Sequence, residues 1–189
     1  MKKKVTKNIV VLEGPSGVGK DSIIAELMKR HPGKYEKITS VTTREIRPGE
    51  IDGVNYKYVN RDQFEEMLRT NEIFEFTQRH GTYRGMSKPI IDKILEAGKI
   101  AIKDADIVGV RALKKLYPGQ VLTIFVTAPK AEIERRLNAR GDNKEDLIRR
   151  LKDYDACIKS KILFDHIVEN TGALDGTVYK VHLLMSGNI

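Results

Sequence analysis

Cysteine is almost absent from this chain of 189 residues: Cys157 is the only one. No internal disulfide can form, and a reducing, cytoplasmic setting is the natural expectation. Long apolar runs are missing too. The basic opening "MKKKVTK" is followed only by the short run Ile9 to Leu12. That is too short for a signal-peptide core or a membrane span, so no membrane partner is expected. There are no internal repeats and no low-complexity tracts. The histidines, His31, His80, His166 and His182, lack metal-ligand spacing and, like Cys157, read as structural.

What is abundant is charge. Apolar residues make up 40% and charged residues 32%, an ordinary soluble balance, and the length suits one core carrying a small inserted lobe. The formal net charge is +8, which fits either a nucleic-acid surface or a pocket for several phosphates. Lysines are scattered along helices, whereas arginines gather in "TTREIRPG", "QRHGTYRG" and "ERRLNARGDNKEDLIRR". Arginine suits bidentate phosphate binding, and no RNA-binding signature accompanies the charge. Phosphate-rich small molecules are therefore preferred, and no nucleic-acid partner is expected.

The chain alternates strands and helices, which implies a parallel sheet covered on both faces, an α/β fold. "NIVVLE" reads as a buried strand, followed by "GPSGVGK" and the helix "KDSIIAELMKR". Strand, glycine loop and helix together make a phosphate-binding loop credible: backbone N–H groups wrap phosphates at a helix start, and Lys20 adds charge. The pattern calls for Ser or Thr after Lys20. Asp21 stands there, with Ser22 one place late.

From about Tyr35 to Arg84 the texture changes to short strand-like pieces, "KITSVTT" and "VNYKYVN", a helix "RDQFEEMLRTNE" and the stretch "IFEFTQ". This reads as a small α+β lobe inserted into the core. Arg44 and Arg47 flank a turn and would repel unless an anion lay between them; Tyr83 and Arg84, on the glycine turn of "YRGMSK", offer further contacts. Glu75 lies in the apolar "IFEFT", where a carboxylate is costly unless paired, or is an outward-facing strand residue. Asp104 and Asp106 end a buried strand, where α/β sheets gather ligands; Asp106 serves equally well as a helix cap. After "RGDN" a long charged helix carries arginines able to close over a polyphosphate as a lid.

In this order "GPSGVGK", "SVTTREIRPGEIDGVNY", "EFTQRHGTYRG", "DADIVG" and "RLNARG" resemble the guanylate kinase family, over roughly residues 8 to 170. The resemblance implies a P-loop, three-layer core over 1–34 and 89–189, a lid at about 136–152 and a GMP-binding lobe over 35–88. It implies transfer of the terminal phosphoryl group of ATP to GMP or dGMP, with magnesium, by a monomer or homodimer in purine nucleotide metabolism. On that resemblance ATP would meet Gly14, Pro15, Ser16, Gly17, Val18, Gly19, Lys20, Asp21, Ser22 and Asn170. Ser40 and Glu75 would hold guanine. Arg44, Arg47, Tyr56, Tyr83 and Arg84 would hold the acceptor phosphate, and Asp104 would lie by the base. Lys20, Arg44, Arg136, Arg140 and Arg150 would be catalytic, and Asp21, Ser22 and Asp104 would serve the metal.

Four positions depart from the usual family pattern. Asp21 replaces a hydroxyl, Arg84 a phosphate-binding tyrosine, Met86 a hydroxyl that reads the base, and Val108 a glutamine. "GKDS" also resembles ribose 1,5-bisphosphate kinases of the same fold, but those lack much of the guanine-reading set that is present here. A non-catalytic, protein-binding relative is the other alternative, and the intact loop from Gly14 to Lys20 argues against it.

Overall fold

The computed structural model describes residues 7–79, 81–141 and 143–186. The basic tail 1–6, His80, Asp142 and residues 187–189 lie outside them, and with them the expectation for His80. The described residues fall into two compact units, one running up to Tyr35 and from Ile102 onward, the other from Glu36 to Ala101.

A five-stranded sheet is ordered β2-β7-β1-β8-β9, with β1 at Ile9–Glu13, β2 at Tyr35–Lys37, β7 at Ile100–Asp104, β8 at Val121–Thr127 and β9 at His166–Glu169; β1, β8, β9 and most of β7 belong to the first unit. β1 pairs in parallel with β8, Ile9 opposite Val121 and Glu13 opposite Phe125, and β8 pairs in parallel with β9. The reason is compositional. "IVVL" and "VLTIFV" are β-branched, apolar on both faces and wholly buried, as a covered parallel sheet requires. Each such side chain contributes about 1.5–3 kcal/mol when fully buried. The helices are amphipathic: α1 (Lys20–Arg30) buries Ile23, Ile24 and Leu27, α4 (Ile107–Leu116) buries Val110 and Leu113, and α7 (Leu174–Met185) buries Val178 and Val181. α5 (Lys130–Ala139) and α6 (Lys144–Lys159) pack on each other. No described helix is long and apolar enough to cross a membrane.

α1 packs on α7, and their contact holds a titratable pair. The rings of His31 and His182 stack at 3.9 Å, and the Tyr35 hydroxyl is hydrogen-bonded to His182 Nδ1 at 2.7 Å. Burial first, then His31 and Lys34, holds His182 below its ordinary 6.5. The unfolded chain thus binds more protons than the folded one between the two values, so stability is full above 6.5 and is lost as pH falls below it. Melting temperature should drop as pH is lowered from about 7 to about 5, and His182→Gln should flatten that slope. An unchanged slope in the variant would remove His182 as its source.

The second unit has a sheet ordered β4-β3-β6-β5, with β3 at Val41–Thr42, β4 at Lys57–Tyr58, β5 at Ile73–Arg79 and β6 at Thr82–Ser87. Its core is Val41, Phe64 and Ile73, with Val59, Met67, Leu68, Tyr83 and Ile90 packed around them. Phe64 comes from α2 (Arg61–Arg69), which a reciprocal Asn60–Gln63 capping box starts. Ile90 comes from α3 (Lys88–Glu96), which is why α3 clusters with this unit rather than with the resumed core.

Two sequence expectations change here. "KITSVTT" is not one strand: Tyr35–Lys37 joins the five-stranded sheet and Val41–Thr42 the four-stranded one. "YRGMSK" is not a turn but most of β6, and the turn lies at Gly81 (φ 77°). Gly85 serves close approach instead. A Cβ there would sit 2.8 Å from the Glu75 carbonyl oxygen, beside the register shift between Ile73 and Glu75.

Candidate active site

The phosphate loop joins β1 to α1. Gly14 stands at φ 149°, and a Cβ on it would lie 2.0 Å from the Val126 carbonyl oxygen, so the chain leaves β1 against β8 only with glycine there. Val18 N–H closes the loop on the Pro15 carbonyl at 3.2 Å. Gly19, which has no side chain to cap with, is the N-cap of α1 at φ 98°, and the N–H groups of a helix start are where an anion binds. Lys20 folds back, its Nζ donating to the carbonyls of Gly14 (2.5 Å) and Pro15 (3.2 Å). Burial pushes its ammonium down, and the charge of Asp104 is foremost among those that hold it up.

The loop opens on a cleft of about 660 Å³ lined by Ser16, Lys20, Asp21, Ser22, Asp104, Arg136, Arg140, Arg150 and Asn170, among others. Four cationic side chains there face two carboxylates, a balance suited to a polyphosphate. The arginines reach the loop from α5 and α6. Arg136 donates to the carbonyls of Val18 (3.2 Å) and Asn170 (2.9 Å) and to Glu132 (2.7 Å). Arg150 donates to the Ser16 hydroxyl. Asn170 braces the loop as well: its amide nitrogen donates to the Val18 carbonyl at 2.7 Å and its oxygen accepts from the Thr177 hydroxyl at 2.8 Å. Asp106 is the cap of α4, accepting from the N–H groups of Val108 and Gly109 at 3.0 Å each. Burial pushes the Cys157 thiol up to about 11, which suits the structural reading rather than a nucleophile.

In the second unit the register sorts the expected residues by face. Glu75 lies opposite Met86, and Arg84 lies opposite Thr42 and Thr77. Alternation then gives these one face and Tyr83, Phe76 and Val41 the other. Tyr83 accordingly stacks on Phe64 at 5.1 Å, and its hydroxyl accepts from Arg61 at 3.4 Å. It is Arg84 that comes to Tyr56, 5.0 Å from the ring, with Arg44 at 5.4 Å from the same ring. Ser40 is buried, Glu75 half-buried, and Met86 buried.

Sequence reasoning missed Glu50. It gives the turn at Arg44 and Arg47 a carboxylate from inside the chain: Arg44 Nη2 donates to both Glu50 oxygens at 2.8 and 2.9 Å, and the Arg47 backbone N–H, not its guanidinium, donates at 2.8 Å. The Arg44 bond, then the Arg47 N–H, hold this carboxyl down at about 2. The signal was an acid three residues past Arg47 in "RPGE". Glu13, at the end of β1, was missed as well; its signal was a single acid closing an apolar strand.

A family model described as guanylate kinase matches residues 6–187. The guanylate kinase of Carboxydothermus hydrogenoformans is 43% identical over 141 residues, 74% of this chain and 68% of the relative. That of Chlamydia trachomatis is 37% identical over 175 residues, 92% of this chain and 83% of the relative. The crystal structure of guanylate kinase from Anaplasma phagocytophilum shares the fold at a TM-score of 0.68, with 24% identity, covering 98% of this chain and 87% of that one. Because the family match takes in the phosphate loop, the inserted unit and the arginine helices alike, the chain belongs to the guanylate kinase family.

Proposed function

We propose that this chain transfers the terminal phosphoryl group of ATP to GMP or dGMP. The observation that carries the reading is the cleft in which Lys20, Arg136, Arg140 and Arg150 gather at the glycine-capped start of α1. Phosphoryl transfer needs positioning and charge stabilisation more than covalent help. Lys20 and the three arginines stabilise charge on the moving phosphoryl. No general base is required, since the acceptor is an ionised phosphate oxygen.

On the second unit, Ser40 and Glu75 hold guanine, while Arg44, Arg47, Tyr56 and Arg84 hold the acceptor phosphate, with Tyr83 packed behind them. Asp104 and Asn170 complete the nucleotide contacts. Glu50 keeps the Arg44 fork in one orientation. If so, Arg44→Ala or Arg47→Ala should raise KM for the monophosphate by roughly 10- to 100-fold, one charge-assisted bond being worth about 1.5–3 kcal/mol. KM for ATP should change much less; equal effects on both substrates would place these arginines elsewhere.

A divalent cation suits the donor set. Asp21, Ser22 and Asp104 bring hard oxygens to the same cleft, though no group of three or more acidic, His or Cys side chains forms a cage among the described residues. That is the arrangement magnesium favours, with one or two protein oxygens beside phosphates and water. When bound, the ion would neutralise charge on the β- and γ-phosphates. Asp21→Ser should then retain or raise turnover, because a hydroxyl serves the same place. Its collapse in a folded variant would show that the carboxylate has a role of its own.

The substrates imply a cytoplasmic enzyme. Product analysis tests the proposal: label from the γ-phosphate of ATP should appear as the β-phosphate of GDP, and label that stays in ATP while GMP is present would overturn it.

A further inference from the structure

Glu13 is a residue of the first unit whose charge folding alone does not explain. It ends β1 after four wholly buried apolar residues and is itself 9% exposed. One of its carboxylate oxygens, Oε2, is buried with no hydrogen-bond partner among the described residues. A buried polar atom left in that state opposes folding, and an apolar side chain would end the strand at less cost. Lys20, whose charge acts on Glu13, donates instead to the carbonyls of Gly14 and Pro15. Glu13 nevertheless lies within reach of the Lys20 charge. Burial, then Asp106, pushes its carboxyl up to about 7, and Lys20 pulls it back.

The carboxylate therefore stands at the end of β1, one residue before Gly14, with an acceptor to spare. The hard oxygens that line the cleft are those of Asp21, Ser22 and Asp104, so Glu13 stands behind them rather than beside the ion. What it can accept is a proton from water, and a nucleotide-bound magnesium ion keeps several waters. We propose that Glu13 is a positioning residue for the cation of the bound nucleotide, its carboxylate turning from its buried position in the empty site to accept a hydrogen bond from a cation-bound water. The proposal rests on the reading of the loop as a site for a metal–nucleotide complex. It also accounts for the orphaned oxygen: stability is given up in the empty site for a contact made only in the filled one.

The test needs no turnover. ADP binding is measured by calorimetry with magnesium and with EDTA, and the ratio of the two affinities is the coupling. Outer partners of a metal site typically change metal affinity by 10- to 100-fold. Glu13→Met should therefore cut the coupling about tenfold, while ADP in EDTA binds as tightly or more tightly, since a negative charge near the phosphates is gone. Glu13→Gln, which keeps an acceptor but not the charge, should fall between. The nucleotide-free melting temperature of both variants should equal or exceed that of the wild type. A lowered melting temperature would make Glu13 a structural partner and overturn the proposal. So would ADP binding with the coupling unchanged. No ADP binding by the wild type would overturn this proposal and the phosphate-loop reading together.

Discussion

Lys20→Ala should lower kcat by roughly 10²- to 10³-fold, the typical loss when one preorganised donor to developing charge is removed. The fold should survive, because Lys20 spends its ammonium on two carbonyls of its own loop and closes no buried ion pair among the described residues. Burial lowers its pKa and the carboxylates around it restore part of the loss, foremost Asp104. The lysine thus sits in a cleft whose walls already compensate it, ready to exchange two carbonyls for phosphate oxygens. Stopped-flow turnover and a melting curve check both halves of the expectation. A folded variant with unchanged kcat would remove Lys20 from the mechanism.

The second large effect concerns the base. Guanine presents two neighbouring donors, N1–H and the N2 amino group, beside the O6 acceptor. A carboxylate accepts only, so Glu75 can take both donors while Ser40 donates to O6. Adenine turns a lone pair toward Glu75 and offers no second donor. Sites built on such bonds reject the wrong partner by up to about 10⁴-fold. Met86, directly opposite Glu75 in the sheet and buried, brings no hydroxyl to that face, so discrimination should fall toward the lower end of that range. Glu75→Gln should erode most of the preference for GMP over AMP, because an amide can accept at one atom only. Comparable ratios of kcat/KM in variant and wild type would take base reading away from Glu75.

The parts of the site that were legible in the sequence are local ones. Strand, glycine loop and helix are contiguous, and each glycine serves a backbone need that the residue type itself announces. The cap at Asp106 was legible as an alternative for the same reason. The lobe was harder, because its strands are short and their partners are remote. Gly85 looked like a turn because nothing local distinguishes a glycine that bends the chain from one that lets two strands touch. Tyr83 and Arg84 are neighbours in the sequence, and only the register with β5 and β3 sends one to Phe64 and the other to Tyr56. Glu50 and Glu13 escaped for a related reason. What an acid does depends on its surroundings, and the Arg44 fork beside Glu50 and the burial of Glu13 are visible only once the chain has folded.

The central claim is that a phosphate loop with Asp21 after its lysine still serves a guanylate-reading lobe. The most direct test is a coupled ADP-release assay, with ATP and magnesium, comparing GMP, dGMP, AMP, UMP and ribose 1,5-bisphosphate as acceptors at equal concentration. GMP or dGMP should lead by about 100-fold or more in kcat/KM, with AMP, UMP and the sugar bisphosphate near background. Clear turnover of ribose 1,5-bisphosphate without turnover of GMP, or comparable values for GMP and AMP, would contradict the account.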